Sequence, residues 1–316
     1  MRPKWSASSL PPHSEARLTI WDPAVVARLS ALELHARTLV LGYRSGGHRS
    51  RRVSSNIEFA DYKPYTPGDP LRDLDWRIAA RSDRLVVRRH HAEEELAINL
   101  VVDASADMGT GTSGRYPFQG LDGSKWSTAA VLAATLAQFG SLRGDPVGLS
   151  VLGGENVRWS WLPPGGGSAQ VARIHRVLSE TRPAGKANLR DALMALGHRL
   201  RRNSLVVVVS DLMEPPADWG PALDAFGERK CDVRVVHVHD PLEWSFTLGN
   251  VGRFFSPEGG LPVDADPLDV AEQMPEVVAA YLAEVRSWLA RCRGMHVLAP
   301  SSDDLGGVVA RLLRGV

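Results

Sequence analysis

Hydrophobic and polar positions along this chain fall into two textures that meet near Leu96. Beyond it, short unbroken apolar runs alternate with longer stretches of helical period. The runs INLVVD (98–103), VGLSVLG (147–153), SLVVVVSD (204–211) and VRVVHVHD (233–240) are rich in β-branched residues and continuous in hydrophobicity, as strands covered on both faces must be. Helical periodicity fills the gaps near 125–142, 169–181, 189–202 and 217–229. It returns at 275–293 and 304–313, on either side of a last short strand at 296–298. Such alternation predicts an α/β fold with a mainly parallel sheet flanked by helices and joined by right-handed crossovers. The piece 158–162 is expected to add an edge hairpin to VGLSVLG.

Before Leu96 the pattern is less regular. Val25, Val26, Leu29, Leu32, Leu34 and Leu39 recur at helical spacing behind Asp22 and Pro23, which suit an N-cap and a first helical position, and Gly42 suits the stop. Residues 57–91 hold short β-type pieces punctuated by Pro64, Pro67, Gly68 and Pro70. The expected organisation is a disordered lead-in at 1–21, an N-terminal helix with a small β-rich subdomain at 22–95, and an α/β domain at 96–316. The first residues carry positive charge without an apolar core, which makes a poor signal peptide.

Composition narrows the class. With 316 residues, 44% of them hydrophobic, the chain can bury a substantial core. No apolar run approaches the roughly 18 residues that a membrane-spanning helix needs, so no membrane span and a cytoplasmic location are expected. Cys231 and Cys292 stand far apart without metal-type spacing and are expected to pack as small hydrophobes. A net charge of +1 gives no overall pull toward nucleic acid. Ten arginines between Arg44 and Arg89 are interleaved with acids such as Asp61, Asp69, Asp73 and Asp83, which favours internal pairing over a polyanion site.

Candidate chemistry lies at the strand ends. Three predicted strands finish in Asp103, Asp211 and Asp240, and the C-terminal ends of parallel strands are where open α/β sheets bind ligands. In DASAD, the oxygens of Asp103, Ser105 and Asp107 alternate along one loop. With Asp211 they could converge on a hard divalent cation, Mg²⁺ with Mn²⁺ as substitute. Capping of the following helix is the competing use for such an acid. GTGTSGRY (109–116) has glycines at phosphate-loop spacing, but Arg115 and Tyr116 replace the Lys and Ser/Thr that the motif requires. His237 and His239 share a strand face within an apolar run, which points to core histidines with their hydrogen bonds satisfied. No nucleophile with its base is recognisable, so no catalytic residue is assigned.

The segment GDPLRDLDWRIAAR (68–81) carries a second constellation. Gly68 permits a tight turn after Pro67, Asp69 can bond nearby backbone N–H groups, and Trp76 offers an apolar anchor. Arg72, Asp75 and Arg81 can pair locally. These residues form either a charged pin between domains or a surface that contacts a partner.

Tyr65, Gly68, Asp69, Arg72, Asp73, Asp75, Trp76, Ala80 and Arg81, followed by LPPGGG, NLRDAL, LVVVVSDL and HDPLEW, resemble the landmarks of the DUF58 family in order. The resemblance implies a von Willebrand factor A-like, Rossmann-like fold for the second domain. It also implies a protein or peptide ligand and a MoxR-type AAA+ ATPase as partner. The metal-ion-dependent adhesion site of that fold is similar to Asp103, Ser105 and Asp211. Asp107 departs from it where a second Ser is expected, and Ala187 where a Thr is expected, with Asn188 as a neighbouring oxygen donor. The implied function is a non-enzymatic adaptor in remodelling or maturation of a target complex. The alternative is a metal-dependent phosphate-ester hydrolase built on the same strand-end aspartates.

Overall fold

The computed structural model describes residues 59–67, 74–82, 85–90, 96–111, 114–116, 123–155, 159–246 and 252–313. The helix expected at 24–41 and the lead-in at 1–21 lie outside them. In the first part, β1 (Phe59–Pro64) pairs antiparallel with β2 (Val86–His90) across α1 (Trp76–Ser82). Leu74 adds an isolated bridge to Val87, and both are buried.

The main sheet is built in order from β3 (Ile98–Ala104), a 3-10 turn (Ala106–Gly109), α2 (Lys125–Arg143), β4 (Val147–Gly153), β5 (Trp159–Gly165) and α3 (Gly167–Glu180). There follow α4 (Leu189–Arg199), β6 (Leu205–Ser210), α5 (Pro216–Trp219), a second 3-10 turn (Gly220–Leu223) and α6 (Asp224–Glu228). Then come β7 (Asp232–His239), α7 (Pro241–Ser245), β8 (Gly252–Phe254), β9 (Val263–Ala265), α8 (Pro267–Arg291), β10 (Met295–Pro300) and α9 (Leu305–Leu312). Strand order is β10-β7-β6-β3-β4-β5, parallel throughout except for the antiparallel edge strand β5.

Strand alternation divides the core in two. Ile98, Leu100 and Val102 of β3, with Leu205, Val207 and Val209 of β6, face α2, α3 and α9. Val101, Val206, Val208, Val233 and Val235 face α4, α5, α6 and α8. Helix α2 is buried almost all round: from Trp126 to Ala137 every residue is inaccessible or nearly so. Ser124 caps its start by accepting from the Ser127 N–H at 3.2 Å, and Gly144 ends it in the left-handed region at φ 86°.

The strands match the hydrophobic runs closely, and the hairpin partner of β4 forms as expected. The helical pattern at 217–229 is instead broken into α5, a 3-10 turn and α6, because Pro221 supplies no N–H within it. Helix α8 begins well before 275. Asp266 caps it by accepting from Leu268 N at 2.9 Å, Pro267 fits the first turn, and Pro275 is carried inside. The hairpin of β8 and β9 and the helix α7 were not anticipated.

At the far edge, Pro163 and Pro164 in β5 have no N–H to offer a further strand. The Gln170 side chain donates to the Val147 and Pro163 carbonyls, both at 2.9 Å. Arg199 of α4 stacks against Trp159 and Trp161 at 4.8 and 4.9 Å.

Candidate functional site

Because β3, β6 and β7 are parallel neighbours, their C-terminal acids arrive at one end of the sheet. Asp103 is buried there. One of its oxygens accepts the Ser105 N–H at 2.8 Å, and the other accepts the Ser210 hydroxyl at 2.6 Å. Burial, and after it the Asp211 charge, push the Asp103 carboxyl up to about 7 against the lowering effect of those hydrogen bonds. Ser210 Oγ also accepts from Leu212 N at 2.9 Å, and Leu212 sits at φ 52°. A left-handed conformation is costly for leucine. It is held by the Tyr281 hydroxyl, which donates to the Leu212 carbonyl and also contacts the Glu214 carbonyl at 3.1 Å.

Lys125, the first residue of α2, reaches into this cluster. Its Nζ lies 2.8 Å from Asp211 Oδ2 and 2.8 Å from Glu243 Oε1 of α7. The lysine side chain is 1% exposed, Asp211 3% and Glu243 38%, so the pair with Asp211 is dry while Glu243 reaches the surface. Burial alone would drive the ammonium toward neutrality, but the two carboxylates more than offset it and raise its pKa. Thr110 completes the contact: its carbonyl accepts the Lys125 backbone N–H at 3.0 Å, and its hydroxyl lies 3.3 Å from Glu243 Oε1.

The sequence reading missed both Lys125 and Glu243. The signal was present, since Lys125 opens a helix with no other charge before Arg143, and a helix buried on all sides must pair any charge it carries.

Of the expected metal ligands, Asp103, Ser105 and Asp211 are brought together around a cavity of about 70 Å³, also lined by Ala187, Ser210, Glu214 and Glu258. Asp107 does not line it. It sits half-buried on the 3-10 turn, where burial first and the Asp211 charge second raise its pKa. Asn188 is not a spare donor, because its side-chain oxygen caps α4 by accepting from Asp191 N at 2.8 Å. Asp240 likewise caps α7, in a capping box with Glu243.

The donor set does not fit a divalent ion. Asp211 Oδ2 is held by an ammonium, each Asp103 oxygen already accepts a hydrogen bond, from the Ser105 N–H or the Ser210 hydroxyl, and Ala187 contributes no oxygen. Among the described residues, no group of three or more His, Cys, Asp or Glu is arranged to hold a metal.

Beside the small cavity, and sharing Ala187 with it, opens a cleft of about 790 Å³. Gly153, Trp159, Gly185, Lys186, Asp191 and Ala195 are among the residues lining it. It runs between the β4–β5 edge and α4.

The second constellation is only partly visible. Gly68, Asp69 and Arg72 lie outside the described residues. Asp75 is buried and caps α1, accepting from Arg77 N at 2.9 Å and Ile78 N at 3.3 Å. Trp76 is 64% exposed and anchors no core, contrary to the expectation, because the first turn of α1 turns it outward. Arg81 is exposed.

In the loop that resembled a phosphate-binding one, the Tyr116 hydroxyl accepts from Leu305 N at 2.9 Å and lies 3.3 Å from Asp304, tying the loop to the start of α9. His237 and His239 are buried, as expected for core histidines, and cluster with His296, Trp244 and Tyr281. His239 stacks on Trp244 at 3.6 Å. The burial of His237 and His239 is as expected but their satisfaction is not, since their buried Nδ1 atoms have no hydrogen-bond partner.

Comparison with known proteins finds that the model of the family described as a protein of unknown function, DUF58, matches residues 61–266. Uncharacterized proteins of Mycobacterium bovis and Mycobacterium tuberculosis are each 30% identical over 316 residues, covering 96% of this chain and 95% of theirs. Among solved structures, the conserved hypothetical protein BatB from Bacteroides thetaiotaomicron matches with a TM-score of 0.45 and 17% identity over 69% of this chain and 97% of that one. An aerotolerance-related membrane protein from Bacteroides fragilis matches with a TM-score of 0.43 and 15% identity, over 70% and 100% of the two chains. In this chain, no helix among the described residues is long and apolar enough to cross a membrane.

Proposed function

This chain belongs to the DUF58 family, and from that premise we propose that it is a non-enzymatic adaptor whose second domain, von Willebrand factor A-like, receives a protein or peptide segment at the strand ends. Its partner in this reading is a MoxR-type AAA+ ATPase, with which it serves the remodelling or maturation of a target complex in the cytoplasm. The family resemblance implies the ATPase, and the cleft at the strand ends supplies the binding surface.

The observation that carries the reading is the cleft of about 790 Å³ that opens beside strand ends whose polar groups are already engaged with one another. A site prepared for catalysis holds a nucleophile or a base facing open space. Here the Ser210 hydroxyl is 2% exposed and bonded to Asp103, and Lys125 is neutralised by Asp211 and Glu243. The rival reading, a metal-dependent phosphate-ester hydrolase, has in its favour the Asp103 carboxyl held near neutrality, but it lacks a fitting donor set for the metal.

The test is capture of tagged protein from its native cell in Mg²⁺ and in EDTA, with Ala187→Arg as the control that fills the junction of cleft and cavity. The expected result is a AAA+ ATPase recovered in both buffers and lost with Ala187→Arg at unchanged melting temperature. Recovery of no ATPase, together with metal-dependent release of phosphate from aryl phosphates, would replace this reading with the hydrolase.

A further inference from the structure

We infer that the Lys125 ammonium is the resident cation of the strand-end site, taking the place and the electrostatic duty of a divalent metal. The first support is position. Nζ sits 2.8 Å from carboxylate oxygens on two separate elements, Asp211 after β6 and Glu243 on α7, so one positive charge ties α2, β6 and α7 together at the end of the sheet. A bound metal would make the same cross-link.

The second support is cost. A lysine in the first turn of a helix opposes the helix dipole, and burying it fully would be strongly unfavourable without ionic partners. Nothing in the packing of α2 requires a charge there, since its remaining buried surface is apolar or hydroxylic. The third support is that the neighbouring oxygens are already engaged: both Asp103 oxygens accept a hydrogen bond, from the Ser105 N–H and the Ser210 hydroxyl, and Glu243 Oε1 is held by the lysine.

The site is therefore assembled during folding and does not depend on the supply of magnesium. This deepens the adaptor reading of the same site. Its test reads melting temperature and metal binding instead of partner capture, so the two fail separately.

Full-length wild type and Lys125→Met are melted in EDTA, 5 mM Mg²⁺ and 5 mM Mn²⁺, and wild type is titrated with Mn²⁺ by electron paramagnetic resonance. The wild type is expected to melt at one temperature in all three buffers and to bind no stoichiometric Mn²⁺. Lys125→Met in EDTA is expected to melt lower by roughly 5–15 °C, because Asp211 is left buried and unpaired. Mn²⁺ should recover part of that loss.

One equivalent of Mn²⁺ bound by the wild type overturns the inference, as does Lys125→Met melting like wild type or showing no response to Mn²⁺. If Lys125→Met does not fold, Lys125→Met/Asp211→Asn removes both charges. Recovery of folding is then expected, and a double variant as unfolded as the single one overturns the assignment.

Discussion

Ser210 illustrates how single hydrogen bonds set the strand ends. Its hydroxyl donates to Asp103 and accepts from Leu212 N, so one small side chain fixes both an acid and the unusual backbone that follows. Ser210→Ala is expected to lower stability by about 1–3 kcal/mol, the cost of leaving buried polar groups unpaired, as read by urea unfolding at pH 8. The histidine cluster supplies a pH dependence. Burial above all, with help from neighbouring histidines, lowers His237 to about 3, and burial with Arg286 lowers His296 to about 4.

An unfolded chain holds both histidines near 6.5, so it binds more protons than the folded one between those values. Their contribution is complete above about pH 6.5 and is lost as pH falls toward 4 and then 3. Asp103, raised to about 7, acts in the opposite direction over an overlapping range, so the measurement must be a difference. Between pH 7.5 and pH 5, His237→Phe should lose about 2 kcal/mol less than wild type in urea unfolding. Equal losses would mean that His237 is protonated in the folded protein.

At the scale of elements, periodicity and caps explain most of what could be read beforehand. The run 147–153 became β4 residue for residue, and α2 and α4 begin where their patterns begin, because Ser124 and Asn188 are good caps. The reading failed where prolines interrupt an amphipathic pattern without ending its burial, as between α5 and α6. It failed again where a helix tolerates an internal proline, as in α8. Lys125 and Glu243 escaped notice for another reason. Motif spacing looks for several donors on one loop, whereas this ion pair joins residues 118 positions apart that only the sheet topology brings together.

Element packing also yields a sharp expectation. A Cβ at Gly220, in the turn between α5 and α6, would lie 2.3 Å from the Trp288 ring of α8. Gly220→Ala should therefore destabilise by roughly 1–3 kcal/mol through overpacking, measured by thermal or urea unfolding.

At the scale of the molecule, the parallel sheet with its antiparallel edge was legible, because continuous apolar runs leave few other arrangements. The hairpin of β8 and β9 was not, because three-residue strands outside the core carry no periodic signal. Its tip nonetheless brings Glu258 to the small cavity, and Phe255 and Leu261 stand 71% and 93% exposed beside it. Among the described residues, brief chymotrypsin treatment should cut early after Phe255, since Pro262 protects the bond after Leu261; the site is read by mass spectrometry, and the nicked protein should keep its melting temperature within a few degrees.

The prolines of β5 carry a consequence for recognition. Amide hydrogens of successive strand residues point to opposite sides, so one of the two prolines takes a donor from the outward rim, and a guest chain laid along it loses a rung of the backbone ladder that an open sheet edge would offer. Affinity then leans on what its side chains find between Trp159 and α4. The cleft would then discriminate guests by the order of their residues, and a scrambled peptide of identical composition should compete poorly with the native one.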